Sequence, residues 1–442
     1  MSQQDAATPQ RATAPRRYLV RSEPDEIIVA LEHEPKVRSV LRAFEIEAES
    51  ERSDNLGLSK LRITKVEAAA KALVDHVNAS EAAGTWRGQH PLADKAPALD
   101  QLLWGLRGFF ASCYDGWSPT IGKNRFVGKV HGVGQVIHGG GGDPQAADGS
   151  QFAPRAALPG QGVRVGVLDT KIYAQPWLAG GWVAPFDNTY TTSPATSYAQ
   201  GHATFLAGLV LSQAPGATVV ARSVLDDDGK ATSWEVANAM VELGKTGLDV
   251  LNLSFACYTE DGEPPMVLSA AIDRLDPELV VVAAAGNHGQ ADLDGDGFTE
   301  DDNRKPAWPA ALDDVFAVGA AKNDEGERAD FSPDAPWLDA SALGVDLVST
   351  YLPGVTQPDG EPPIKDYARW SGTSFAAALV SGAVAAEKQL KGISARQALL
   401  NIVGGHSHDD PPPVDLQGGQ PPRFPSAPFL RIHPSTPWPG TP

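Results

Sequence analysis

Three short segments carry side chains that could divide a hydrolysis among them. Val163 to Asp169 is an apolar run that ends in a carboxylate, as a parallel strand does when it delivers a side chain to the C-terminal edge of a sheet. Gly201-His202-Ala203-Thr204 opens a run of small and apolar residues with a histidine. Gly372-Thr373-Ser374 sets a serine at the mouth of the helix-forming run Phe375-Ala376-Ala377-Ala378, where a helix N-terminus favours developing negative charge. Together they provide an acid to orient, a base to accept a proton and a hydroxyl to attack. Each also has a plainer reading alone: Asp169 as a turn residue, His202 as structural, Ser374 as an N-cap.

The chain order Asp, His, Ser separates this set from chymotrypsin and from the α/β-hydrolases, and it is the order of subtilisin. Residues from about 160 to 395 resemble the catalytic domain of the subtilisin-like serine proteases, the subtilases. Ala283-Ala284-Ala285-Gly286-Asn287 resembles the family's oxyanion motif, with the Asn287 amide as donor. Asn252-Leu253-Ser254-Phe255-Ala256 resembles the strand lining the substrate cleft, and Asp228-Gly229-Lys230 its opposite edge, so that a peptide would be clamped as an added strand. Trp308-Pro309-Ala310 matches the segment beside the primary specificity pocket. The resemblance implies an α/β fold, a three-layer sandwich about a central, mostly parallel sheet. It also implies a serine endopeptidase in which His202 deprotonates Ser374, Asp169 orients His202 and Asn287 holds the oxyanion. The uncharged residues Ser254, Phe255 and Ala256 with Gly286 and Ala307 would line a pocket for a medium or large apolar side chain, and the acidic run 292–303, which lies between Asn287 and Trp308 and would rim that pocket, is the argument for a basic one. Four positions depart from the family pattern: Lys171, Ala203 and Ala256 replace glycines, and Ala378 replaces a proline. Lys171 would strain the backbone at positive φ, and Ala256 would narrow the cleft. The alternative is a catalytically idle peptide-binding module or pseudoprotease governed by its N-terminal domain; an esterase is a minor third reading.

An acidic run over 292–303 has the spacing of a calcium loop. Asp292, Asp294 and Asp296 take positions one, three and five, Gly297 the sixth, Phe298 a backbone-carbonyl position and Glu300 the ninth. Asn303 at position twelve departs from the usual glutamate, and a solvated acidic loop is the competing reading. No cofactor is expected for catalysis, with calcium as a structural candidate.

At 442 residues the chain is long enough for a large α/β domain and a smaller one. A net charge of −19 argues against nucleic acid or an anionic membrane as partner; a polypeptide substrate is what the resemblance implies. Cys113 and Cys257 are far apart in sequence; one disulfide is conceivable, and two free thiols are favoured. The first residues are polar, with Arg11, Arg16 and Arg17 but no apolar core, so a secretory signal is not expected and a cytoplasmic setting is, non-classical secretion being the alternative.

Residues 1–16 read as a disordered arm and 17–138 as a small α/β domain with a β-α-β-α pattern and an apolar-striped helix from Asp100. That domain is either a prodomain acting as an intramolecular inhibitor or a retained recruiter of substrates. The Gly- and Pro-containing stretch 139–161 reads as a flexible linker, 162–404 as the peptidase domain and the Pro-rich 405–442 as a surface tail.

Overall fold

The computed structural model describes residues 21–129, 143–150, 152, 154–155, 159–193, 195, 197–289, 303–352, 354, 363–404 and 427–432. The N-terminal unit runs β1 (Ser22–Ala30), α1 (Glu34–Ala43), β2 (Ala48–Ser53), β3 (Leu58–Ile63), α2 (Val66–Ala79), α3 (Gly84–Gln89), α4 (Ala98–Cys113) and β4 (Ile121–Lys129). Its antiparallel sheet has the order β4-β1-β3-β2. Strand β2 had no place in the β-α-β-α expectation because its Ala-Glu-Ser-Glu-Arg-Ser sequence is that of a largely exposed edge strand. Side chains alternate across the sheet. Ile27, Val29, Leu61, Ile63 and Ile121 face the helices in one apolar cluster, while Ile28, Leu58 and Val127 join the core of the peptidase unit.

The peptidase unit begins with β5 (Gln145–Ala146), β6 (Arg164–Asp169), β7 (Ile172–Tyr173), β8 (Trp182–Val183), β9 (Tyr190–Thr191), α5 (His202–Gln213) and β10 (Thr218–Ser223). It continues with β11 (Lys230–Thr232), α6 (Ser233–Gly244), β12 (Val250–Leu253), β13 (Phe255–Ala256), α7 (Met266–Ile272), β14 (Val280–Ala284) and β15 (Phe316–Ala321). It closes with β16 (Ala340–Leu343), β17 (Leu347–Thr350), β18 (Tyr367–Trp370), α8 (Thr373–Lys391), α9 (Ala395–Gly404) and β19 (Phe429–Leu430). An eight-stranded, wholly parallel sheet with the order β19-β16-β15-β14-β12-β6-β10-β8 forms the middle layer. Its central strands are continuous apolar runs because helices cover both faces. Helix α5 is buried along its whole length and α8 from Thr373 to Glu387, which explains their small residues. At Gly382 a Cβ would stand 2.6 Å from the Val210 carbonyl, so glycine there sets how closely α8 approaches α5.

Two sequence expectations change. Residues 427–432, read as part of a surface tail, put β19 on the edge of the main sheet with Leu430 and Ile432 fully buried. Within the stretch read as a linker, β5 pairs with β18, so this part of the connection is anchored to the peptidase unit. Among the described residues no helix is long and apolar enough to cross a membrane.

Candidate active site

Asp169 is the last residue of β6 and His202 the first of α5, and both are fully buried. The His202 Nδ1 lies 2.9 Å from each carboxylate oxygen of Asp169. The carboxylate accepts, so Nδ1 carries the proton and Nε2 is left as the basic nitrogen. The next residue in each segment locks the arrangement: the Thr170 amide donates to Asp169 Oδ1 at 2.7 Å, and the Ala203 amide donates to Thr170 Oγ1 at 3.1 Å. Lys171 is not among the described residues with positive φ, so the strain expected of it does not arise.

Ser374 is the second residue of α8, in the turn whose amides have no helical carbonyl to bond. Its Oγ lies 3.4 Å from the Ser254 carbonyl, and Ser254 Oγ lies 3.2 Å from the Ser374 carbonyl, so the serine faces the cleft strand. The ring of Phe375 sits 5.6 Å from that of His202, with Trp370 at the same distance edge-on, so the imidazole is packed against two apolar rings.

Asn287 is held at one end. Its Oδ1 accepts from the Thr373 amide and from the Thr373 hydroxyl, both at 3.1 Å. Its Nδ2 is buried with no hydrogen-bond partner among the described residues, a costly state for an amide unless a ligand atom supplies the acceptor. The preceding Gly286 has φ of +95°, a conformation for which glycine is the natural residue. The Thr373 contribution was not anticipated; its place one residue before Ser374 was the available signal.

The two segments expected to clamp a peptide do flank an added strand, and the strand belongs to this chain. β4 runs antiparallel to both, with Phe126, Val127 and Gly128 opposite Thr232, Ala231 and Lys230, and with Gly128 and Lys129 opposite Ala256 and Phe255. Asp228 and Gly229 form the turn before β11, where Gly229 has φ of +76° and the Asp226 carboxylate accepts from the Asp228 and Lys230 amides. Ala307 is fully buried, next to the Trp308 that exchanges backbone hydrogen bonds of 3.0 and 2.9 Å with Cys257. Burial pushes the Cys257 thiol up to about 12, against the pull of Arg125. Both cysteines are free, Cys113 exposed and Cys257 buried.

Beyond the backbone, β4 is fastened by polar contacts to the peptidase unit. Asn124 Oδ1 accepts from Ser233 Oγ at 3.1 Å and from the Trp234 amide at 3.0 Å, so it bonds two donors at the start of α6. Ser233 Oγ in turn accepts from the Arg125 amide at 2.9 Å. The Arg125 guanidinium and Lys123 ammonium reach Glu260 at 3.0 and 3.4 Å. Burial raises the Glu260 pKa, yet Lys123 and Arg125 outweigh it and hold the carboxyl below its usual range.

Asp292, Asp294, Asp296, Phe298 and Glu300 lie outside the described residues. Among the described residues no cluster of His, Cys, Asp and Glu suited to a metal occurs.

Residues 160–403 match the subtilase family. The chain is 33% identical over 246 residues to subtilisin BL of Lederbergia lenta, covering 54% of this chain and 80% of that protein. It is 32% identical over the same length to subtilisin Savinase of the same organism, with the same coverage. Among solved structures, fervidolysin of Fervidobacterium pennivorans is similar in fold, with a TM-score of 0.56 at 15% identity over 94% of this chain and 61% of that one. A match over more than half of the chain, on the segment that carries seven of the eight parallel strands and the Asp169–His202 pair, makes this a member of the subtilase family and a serine endopeptidase.

Proposed function

We propose that the endopeptidase works through Ser374 as nucleophile, His202 as general base and acid, and Asp169 as the group that orients the imidazole. In this reading His202 Nε2 takes the Ser374 proton as Oγ attacks the peptide carbonyl. The oxyanion is met by Asn287 Nδ2–H and the Ser374 amide. His202 then returns the proton to the leaving amine, and the acyl-enzyme is hydrolysed by a water that His202 deprotonates. The observation that carries the reading is the half-satisfied Asn287 amide, whose Oδ1 is pinned by Thr373 while its buried Nδ2 awaits an acceptor.

The N-terminal unit is part of the proposal, as an intramolecular inhibitor that fills the cleft with β4. Its support is the pairing of β4 with β11 and β13, the two segments that would otherwise receive substrate. The free state of both cysteines supports a reducing setting such as the cytoplasm.

A fluorophosphonate probe tests the nucleophile, applied to the full-length chain after incubation until labelling is constant. Labelling of wild type that is absent from Ser374→Ala supports the assignment. Label that persists in Ser374→Ala, or a well-folded peptidase unit that takes no label once its N-terminal unit has been cut away, rejects it.

A further inference from the structure

His288 follows Asn287 in the chain and is 5% exposed. Its Nδ1 lies 2.8 Å from Tyr258 Oη, and its Nε2 lies 3.1 Å from the Lys305 carbonyl. A carbonyl only accepts, so Nε2 carries a proton, which leaves Nδ1 to accept from the tyrosine hydroxyl. The two rings meet edge-on, with centroids 4.7 Å apart. Tyr258 is itself buried; that burial, and then the neighbouring Cys257, raise its pKa far above the usual range, so the phenol remains a donor.

One imidazole therefore ties together three pieces of chain. Tyr258 lies two residues beyond β13, His288 is the residue after Asn287, and Lys305 stands two residues before the buried Ala307. Gly286 is pressed against the same junction: a Cβ there would come within 2.6 Å of Tyr258 Oη and 2.7 Å of His288 Nδ1. Only a residue without a side chain therefore fits before Asn287 beside the ring pair, and the backbone after it is anchored by His288. We infer that His288, keyed to Tyr258 and to the Lys305 carbonyl, is a positioning residue for the oxyanion site. It fixes the 286–288 backbone so that Asn287 Nδ2 points where negative charge develops. Thr373 sets the rotation of the Asn287 amide from one side, and His288 sets the course of its backbone from the other. The inference rests on the serine-protease reading above and adds to it a residue that acts through Asn287.

The test is steady-state kinetics on a short chromogenic peptide amide, with full-length chains preincubated until turnover is constant. His288→Ala is expected to lower kcat about 10-fold or more with KM within about twofold, since the contact that is mispositioned is made only in the transition state. Tyr258→Phe, which keeps the ring and removes the hydroxyl, should give a smaller loss of the same kind. In an Asn287→Ala background, His288→Ala should cost no further kcat, because the amide it positions is gone. Undiminished kcat in His288→Ala, a loss confined to KM, or a full additive loss in the Asn287→Ala background overturns the inference and leaves the protease reading standing. Turnover that persists undiminished in Ser374→Ala overturns that reading, and this one with it.

Discussion

Thr373 holds the Asn287 oxygen with two donors, one from its backbone and one from its side chain, which fixes the amide's orientation and, in the proposed mechanism, presents its nitrogen to the oxyanion. Such a donor costs nothing to reorganise when charge appears, which is where preorganised sites gain their advantage. Asn287→Ala is expected to lower kcat by about 10²–10³, the size of loss known for subtilisin's own oxyanion asparagine. KM should change little, because the ground-state carbonyl does not yet draw on the contact. Initial-rate kinetics on a short peptide substrate check this; a change in KM alone would assign Asn287 to binding instead. The departures from the family pattern are of a different kind. Lys171 escapes strain because its backbone is not left-handed, and Ala256, at a position expected to narrow the cleft, lies opposite Gly128. Glycine is here found on the incoming strand, beside the alanine on the enzyme strand.

β4 joins the strands of the N-terminal unit to β11 and β13 in one six-stranded sheet. Its first residues pair with β1, Ile121 opposite Val29 and Lys123 opposite Ile27, and its last pair with β11 and β13. Glu260 reinforces this crossing by receiving Lys123 and Arg125. Because its carboxyl is held below the usual value of 4.5, its contribution is fully present above that value and is lost as pH falls through the lowered pKa. Glu260 is about half exposed, so the effect is that of a surface ion pair, about 0.2–1 kcal/mol or a few-fold in hold. Glu260→Gln should therefore raise the initial peptidase rate of the full-length chain a few-fold between pH 5 and 8, with no trend across that window, as ~4.5 marks the upper edge of the titration. Limited proteolysis of the N-terminal unit at pH below about 4.5 should show the variant and wild type converging. A wild-type to variant difference that itself titrates near pH 7 would mean that another group governs the crossing. The element scale is also where the sequence was least legible. Asp169, His202 and Ser374 were legible as candidates because each stands at the end of a strand or in the first turn of a helix whose pattern is plain, and Asn287 because it follows the apolar run of β14 across a glycine. Helix α4 and the parallel strands were readable for the same reason. β4 was not: Ile-Gly-Lys-Asn-Arg-Phe-Val-Gly-Lys has two glycines and no sustained alternation, because its neighbours, not its own pattern, make it a strand. β19 was hidden likewise in a Pro-rich stretch whose composition argues for extended chain but says nothing of what it docks against.

At the scale of the whole molecule, the two units share one core. Ile28, Leu56, Leu58 and Val127 of the N-terminal unit pack in the same apolar cluster as Ala231, Trp234 and Phe255 of the peptidase unit. Polar bonds ring that contact: Trp234 Nε1 donates to Glu51 at 2.7 Å, and Lys245 Nζ to Asn55 at 2.6 Å. A cleft filled by such a unit should open only when the apolar contact is weakened, and β4 offers a comparison within two adjacent residues. Val127 is 1% exposed and faces the peptidase core, whereas Phe126 is 36% exposed. Full burial of a valine is worth about 1.5–3 kcal/mol, so Val127→Arg should weaken the hold of β4 by at least tenfold. Phe126→Arg, on the same strand with the same added charge, loses much less. The expected result is a raised initial rate on a short peptide substrate for full-length Val127→Arg and a rate near wild type for Phe126→Arg. Thermal denaturation monitors whether the peptidase unit stays folded in both. Equal rates in the two variants, with both folded, would show that the side chain facing the core does not hold the strand in the cleft, and inhibition by the N-terminal unit would then have to be abandoned. A rise in Val127→Arg alone ties control of Ser374 to one buried side chain, and makes the apolar seam between the units the place where activity is set.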